Sequence, residues 1–100
     1  MTVLVTMRAQ GDTSQFRDFL ESGAERLRET RDAAQAAGCL HHRFGVGEDF
    51  VLVLDEWESH EHFWRFFEGN EELMELMRDA GAQSVPEITF TEAVSSPDQF

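Results

Sequence analysis

The middle of this chain restricts its fold more than any other part, because it joins two strand patterns directly to a helix pattern. Side chains alternate along Cys39–Val46 and Phe50–Trp57, with Gly47-Glu48-Asp49 between the two runs. Alternation with a period of two is typical of β-strands, and a short loop containing glycine favours a hairpin. Ser59 follows as a helix N-cap, and aromatic residues continue at helical spacing as far as Phe67. The stretch predicts an antiparallel hairpin that leads through an acidic corner into a helix.

The rest of the chain adds elements on both sides of this stretch. A strand is predicted over Thr2–Arg8, where β-branched residues are bounded by turn residues. Asp12 and Gln15 have the spacing of a capping box and predict the start of a helix that runs to Ala37 and ends at Gly38. Gly23 is predicted to lie on the apolar face of this helix. The second helix, which Ser59 caps, is predicted to be interrupted at Gly69-Asn70. A helical piece over Glu71–Ala80 and a last strand over Glu87–Val94 are predicted to follow.

The predicted order βαββαβ is that of the ferredoxin-like α+β fold, in which helices cover one face of a four-stranded antiparallel sheet. Apolar side chains nevertheless occupy both predicted faces of the sheet. Val5, Leu40 and Phe44 belong to one face, whereas Leu52 and Leu54 belong to the other. We expect a second copy of the sheet to cover the second face, which predicts a homodimer whose two sheets form a dimeric α/β barrel. The predicted domain spans residues 1–94, and residues 95–100 form a C-terminal arm.

Composition excludes several kinds of partner and chemistry. Twenty carboxylates against eight arginines give a net charge of −12, which repels nucleic acids and anionic membranes. The absence of lysine and tyrosine excludes Schiff-base catalysis and a tyrosine general acid. The single cysteine excludes an intramolecular disulfide and fits a reducing compartment. No secretory signal pattern or apolar run of roughly 18 residues is present, so a cytoplasmic protein without a membrane span is expected.

Three polar side chains of the hairpin, His41, His42 and Arg43, are candidates for chemistry. His41 and His42 are neighbours on a strand, so their side chains point to opposite faces and cannot share a metal ion. His60 and His62 also diverge on their helix, and no metal site is predicted. Either His41 or His42 is a candidate general base, and Arg43 is a candidate stabiliser of an anionic substrate group. The alternatives are structural histidines and an ion pair at the dimer interface.

An apolar pocket is predicted between the sheet and the helices. Its candidate walls are Trp57 at the strand end, Phe63, Phe66 and Phe67 on the second helix, and Met77 on the helical piece that follows. Such a pocket suits a flat aromatic ligand. Plain core packing at helical spacing is the alternative for each of these side chains.

The sequence resembles the antibiotic biosynthesis monooxygenase domain of the dimeric α/β-barrel superfamily over nearly its whole length. The resemblance is carried by CLHHRFGV followed by VLVLDEWES, by the corner Trp57-x-Ser59-x-Glu61, and by PEITFTEAV at the end. It implies a homodimer with one pocket per protomer, in which Trp57 lines the pocket. Phe66 and Phe67 stand where many members have a histidine, and Thr6 stands on the first strand where the haem-degrading branch has an asparagine.

The resemblance implies a monooxygenase that needs neither metal nor flavin and acts on a small polycyclic phenol or quinol. A deprotonated phenol supplies its own electrons to oxygen, so the protein has only to bind, deprotonate and stabilise charge. The differences at Thr6, Phe66 and Phe67 argue against haem degradation. The absence of tyrosine and of the downstream histidine favours a second hypothesis, a non-catalytic dimer that binds a ligand or serves a stress response, and a barrel whose pocket is filled by side chains is a third.

Overall fold

The computed structural model describes all residues, Met1–Phe100, and contains eight regular elements. Four strands and four helices follow one another in the order β1, α1, α2, β2, β3, α3, α4, β4. Their bounds are β1 Val3–Gln10, α1 Thr13–Ser22, α2 Ala24–Ala37, β2 Cys39–Val46, β3 Phe50–Trp57, α3 His60–Phe67, α4 Glu71–Asp79 and β4 Glu87–Glu92.

The strands form one antiparallel sheet in the order β2-β3-β1-β4, which confirms the predicted ferredoxin-like α+β fold. The predicted hairpin of β2 and β3 has the expected bounds, and the pairing of Val46 with Val51 closes it. β1 occupies a central position between β3 and β4, and Val5 at its middle is fully buried. The last strand is two residues shorter than predicted. It ends at Glu92, and Val94 beyond it is exposed.

The first helical region is two helices, which corrects the single helix predicted as far as Ala37. Gly23 was expected on an apolar face but instead separates α1 from α2, with φ −103° and ψ 15°. The Phe19 ring occupies the space beside Gly23, where an added Cβ would lie only 2.4 Å from the ring. The missing side chain therefore allows the phenylalanine to fold back over the helix end. As predicted, α2 ends at Gly38, which has the left-handed φ of 114°.

Side-chain caps begin three of the helices. Asp12 accepts a hydrogen bond from the Gln15 backbone N–H at 3.0 Å, and Ser59 accepts one from that of His62 at 3.1 Å. Both were predicted from the sequence. Asn70, predicted only as part of an interruption, caps α4 by accepting from the Leu73 N–H at 3.1 Å. These caps satisfy backbone donors that have no partner inside the helix.

A register shift near the start of β2 changes which of its side chains face the helices. Cys39 pairs with Trp57, but His41 pairs with Glu56, so Leu40 is an extra residue on β2. Leu40 was predicted to share the buried face and is instead 43% exposed. Because of the extra residue, Cys39 and His42 both face the helices although they are three residues apart.

All four helices pack against the same face of the sheet. Two buried clusters hold them there, and partly buried neighbours surround both. The first consists of Val5, Cys39, Trp57 and Phe63, and the second of Phe16, Phe19, Leu76 and Ala80. The opposite sheet face is open, and it leaves Leu4 and Leu54 exposed by 42% and 45%. No helix has the length and apolar character that a membrane span requires.

Candidate functional site

A cavity of about 640 Å³ lies between the sheet and the helices, bordered by both hydrophobic clusters. Its size is within the range of small-molecule sites, and 19 of its 32 lining residues are hydrophobic. Every residue predicted for the site borders this cavity, namely His41, His42, Arg43, Trp57, Phe63, Phe66, Phe67 and Met77. The structure thus brings together side chains from two strands and two helices that are far apart in sequence.

Asp55 links two of the polar groups at one side of the cavity. Its Oδ1 lies 2.7 Å from Nδ1 of His42, and its Oδ2 accepts a hydrogen bond from the Trp57 indole N–H at 3.1 Å. Only 7% of the Asp55 side chain is exposed, whereas 44% of the His42 side chain is. Because an ionised carboxylate only accepts hydrogen bonds, this contact assigns the His42 proton to Nδ1 and leaves Nε2 with a free lone pair.

Asp55 is the site residue that sequence reasoning missed. It is the one acidic side chain among the residues of β3 that face the helices, where Val51, Val53 and Trp57 are its companions in the alternation. A carboxylate at a position where the alternation of the strand predicts a buried side chain needs a hydrogen-bonding partner, since an unpaired buried charge is very costly. The position of Asp55 in the alternation of β3 was the signal in the sequence, and its two partners, His42 and Trp57, were already candidates.

His41 and Arg43 occupy a different position from His42. They pair with Glu56 and Leu54, and so belong to the open face of the sheet. Both still border the cavity, and β2, on which they lie, is an edge strand of the sheet. Of the two neighbouring histidines, only His42 has a carboxylate partner on the helix side.

Aromatic rings form the deepest wall of the cavity. Trp57 is 1% exposed and meets Phe63 edge to face, with ring centroids 5.5 Å apart. The Phe66 ring lies 5.4 Å from Trp57 on another side, and Phe67 stacks on Phe63 at 5.1 Å. Trp57 thus belongs both to the buried core and to the wall of the cavity, and its indole N–H donates a hydrogen bond to Asp55.

The acidic corner after β3 serves the start of α3. Ser59 Oγ lies 2.6 Å from Nδ1 of His62, and Nε2 of the same ring lies 3.2 Å from a carboxylate oxygen of Glu58. The pKa of Glu61 is lowered, first by its own backbone N–H and then by the Ser59 hydroxyl. None of these residues borders the main cavity. No group of three or more His, Cys, Asp or Glu side chains is placed to hold a metal ion.

Cys39 is buried beside the Asp55 carboxylate. Burial and, to a lesser extent, the charge of Asp55 raise the pKa of its thiol to about 11, against a smaller lowering effect of a backbone hydrogen bond at His41. A thiol held in its neutral form is a poor nucleophile. Cys39 instead packs in the cluster around Trp57.

Known structures share this fold at low sequence identity. SnoaB from Streptomyces nogalater, a cofactor-independent oxygenase, is 14% identical with a TM-score of 0.66 over 98% of each chain. The ActVA-Orf6 monooxygenase of Streptomyces coelicolor, solved with nanaomycin D, is 19% identical with a TM-score of 0.60, covering 95% of this chain and 88% of its own. A dimeric ferredoxin-like protein from an uncultured marine organism is 15% identical with a TM-score of 0.64, covering 95% and 93%.

Comparisons by sequence find no such relative. No protein-family model matches the chain, and no curated protein does. Among the structural matches, others are named as antibiotic biosynthesis monooxygenases, including one that is 15% identical with a TM-score of 0.64 over 95% of this chain and all of its own. The fold of this chain is therefore the fold of the antibiotic biosynthesis monooxygenase structures, as its sequence motifs implied.

Proposed function

We propose that this protein is a cofactor-independent monooxygenase that oxidises a small polycyclic phenol or quinol in the cavity between its sheet and helices. The observation that carries the proposal is the contact between His42 and Asp55 beside an apolar cavity of about 640 Å³. The likeness to SnoaB and to the ActVA-Orf6 monooxygenase supports it at the level of fold.

His42 acts as the general base in this proposal. With Nδ1 held by Asp55, Nε2 accepts the proton of a phenol bound against the aromatic wall. The imidazolium that forms is stabilised by the Asp55 carboxylate, which is itself held by the indole N–H of Trp57. Arg43 and His41, at the edge of the cavity, remain candidates for stabilising developing negative charge.

The ring system supplies the electrons for the reaction. Once deprotonated, an electron-rich ring transfers electrons to dioxygen, and a ring C–H becomes a carbonyl. One oxygen atom enters the product and the other leaves as water, so that a naphthol and dioxygen give a naphthoquinone and water. The apolar walls keep bulk water from the anion and strengthen its contact with the His42 imidazolium.

We also propose that the protein works as a homodimer through the open face of its sheet. Leu4 and Leu54 are large apolar side chains left exposed there, and a second copy of the sheet would cover them. The dimeric ferredoxin-like relative in fold supports this assembly. Most of the cavity lining lies on the helix side of the sheet, away from this interface.

Oxygen uptake by the purified protein tests the reaction. Dihydroxynaphthalenes, an anthrone and haem are supplied with and without air, and dissolved oxygen and absorbance are followed while ligand binding is measured anaerobically. We expect uptake above the uncatalysed rate with a phenolic compound and without added metal or flavin. Tight binding without uptake would select a non-catalytic ligand-binding protein instead, and the absence of both would contradict the proposed site.

A further inference from the structure

The lining of the cavity differs in charge from the rest of this acidic chain. Three of the eight arginines border it, but only two of the twenty carboxylates do. Both carboxylates already have hydrogen-bonding partners within the chain. Asp12 caps α1, and Asp55 holds His42 and Trp57. The lining therefore carries more arginines than carboxylates, whereas the net charge of −12 of the whole chain repels an anionic ligand.

Two of these arginines belong to α2. Arg28 and Arg31 are three residues apart, so they lie on the same side of the helix, one turn from each other. Arg28 pairs with Glu25 at 3.3 Å, and Arg31 pairs with Asp32 at 3.0 Å. Neither of these carboxylates borders the cavity, and their side chains are 78% and 67% exposed. Exposed pairs of this kind contribute little to stability, so both guanidinium groups can exchange them for a ligand.

The α2 helix is built as a cavity wall more than as a packed element. None of its 14 residues is buried, and its cavity side presents Leu27, Thr30 and Ala34 between the sheet and solvent. Small and medium side chains there leave room for a flat ring against the helix, with the two arginines at its border. The third arginine of the lining, Arg43, belongs to the open face of the sheet, where the proposed dimer forms.

We propose that the natural ligand of this cavity is an aromatic carboxylate, with its acid group held by Arg28 and Arg31 and its phenol directed to His42. The planar guanidinium groups match a carboxylate with paired hydrogen bonds. This inference rests on the proposed function for the presence of a phenol. It specifies in addition that the substrate is an anion with a carboxylate on its ring system. An uncharged polycycle fits the apolar walls but leaves both arginines without a ligand partner.

Equilibrium dialysis without oxygen tests the inference with two ligands that share one ring system. These are 2-naphthol and 6-hydroxy-2-naphthoate, which carries its carboxylate far from the hydroxyl group. We expect the wild type to bind the naphthoate at least tenfold more tightly. The double variant Arg28→Gln/Arg31→Gln should lose this preference and keep its affinity for 2-naphthol within twofold.

The control is the double variant Arg17→Gln/Arg78→Gln, which changes the net charge by the same amount at two exposed arginines away from the cavity. It should keep the preference. The inference is overturned by equal binding of the two ligands to the wild type, by a preference that survives in Arg28→Gln/Arg31→Gln or disappears in the control, or by failure of both ligands to bind folded protein. Oxygen uptake is measured separately. A preference without uptake would reject oxygenation alone, and uptake without a preference would reject the carboxylate alone.

Discussion

At the scale of single residues, Asp55 organises the candidate site. It joins the base, the aromatic wall and the core, since its two oxygens contact His42 and Trp57 while the side chain itself is buried. A carboxylate in this position fixes one tautomer of the imidazole and stabilises its protonated form. The site therefore depends on a residue that does not itself contact the substrate in the proposed reaction.

Replacing Asp55 with asparagine tests this positioning role. We expect the Asp55→Asn variant to lose oxygenation by about 100-fold, because the amide neither fixes the His42 proton on Nδ1 nor stabilises the imidazolium. Unfolding free energy should fall by about 1 to 3 kcal/mol, the usual cost of a damaged buried hydrogen-bond network. Nitrogen NMR of the imidazole should show less proton on Nδ1. An unchanged tautomer together with a full rate would contradict the role given to Asp55.

Cys39 gives the chain an unusual response to alkali. Its thiol has a pKa of about 11 in the folded protein against 9.0 for an unperturbed thiol, so between these values only the unfolded chain releases the proton. The contribution of this thiol to the unfolding free energy is thus fully present below pH 9 and is lost as the pH rises towards 11. Two pKa units correspond to about 2 to 3 kcal/mol. No lysine or tyrosine side chain titrates in the same range, because the chain has neither.

Urea unfolding at pH 8, 9, 10 and 11 measures this effect. The wild type should lose about 2 to 3 kcal/mol of unfolding free energy over the upper two pH units, and the Cys39→Ala variant should lose much less. Equal losses in the two proteins would show that burial of the thiol is not the cause.

Residue types in the site were largely predictable, and their arrangement was only partly so. Trp57 was predicted as a wall of the cavity from its position at the end of a strand, and Phe63 from the helical spacing of the aromatic residues. Both border the cavity. The two neighbouring histidines were equivalent in the sequence. The contact of His42 with Asp55 decides between them, and it depends on the register in which β2 pairs with β3, which no local pattern reveals.

At the scale of elements, two glycines with positive φ provide a matched test of why α2 ends where it does. Gly38 has φ 114°, and an added Cβ would lie 2.9 Å from the His62 ring, whereas Gly69 has φ 69° and open space around it. Both Gly→Ala changes carry the cost of a left-handed backbone, about 1 kcal/mol. Gly38→Ala adds a steric conflict of about 1 to 3 kcal/mol.

We therefore expect Gly38→Ala to reduce the unfolding free energy by at least about 1 kcal/mol more than Gly69→Ala does, as measured by urea denaturation. The extra cost arises because the His62 ring is held between Ser59 and Glu58 and has little freedom to move aside. Equal costs for the two variants would mean that the contact between Gly38 and His62 is not a fixed part of the fold.

Helix ends were predictable where a side chain or a left-handed glycine makes them, as at Asp12, Ser59 and Gly38. The break at Gly23 was not, because glycine inside an amphipathic pattern is compatible with either a continuous or a broken helix. The break depends on the Phe19 ring folding back over Gly23, which is a tertiary choice driven by the cluster around Phe16 and Leu76.

At the scale of the whole molecule, the open sheet face predicts self-association. Light scattering should give a mass twice the 11.5 kDa of the chain at micromolar concentration. The Leu54→Arg variant should shift the mass towards that of a single chain, because it places a charge in the centre of the proposed interface. Leu20→Arg, at a position on α1 that is also exposed by 39%, is the control and should stay dimeric. A monomeric wild type would contradict the two-sheet assembly.

The account of function depends most directly on His42. Its central test is the rate of oxygen uptake at saturating phenol by three folded proteins, the wild type, His42→Gln and the control His62→Gln, whose ring lies outside the cavity. Loss of a general base predicts that His42→Gln is slower by about 100-fold or more and that His62→Gln stays within about twofold of the wild type. A wild-type rate in His42→Gln would contradict the proposed mechanism.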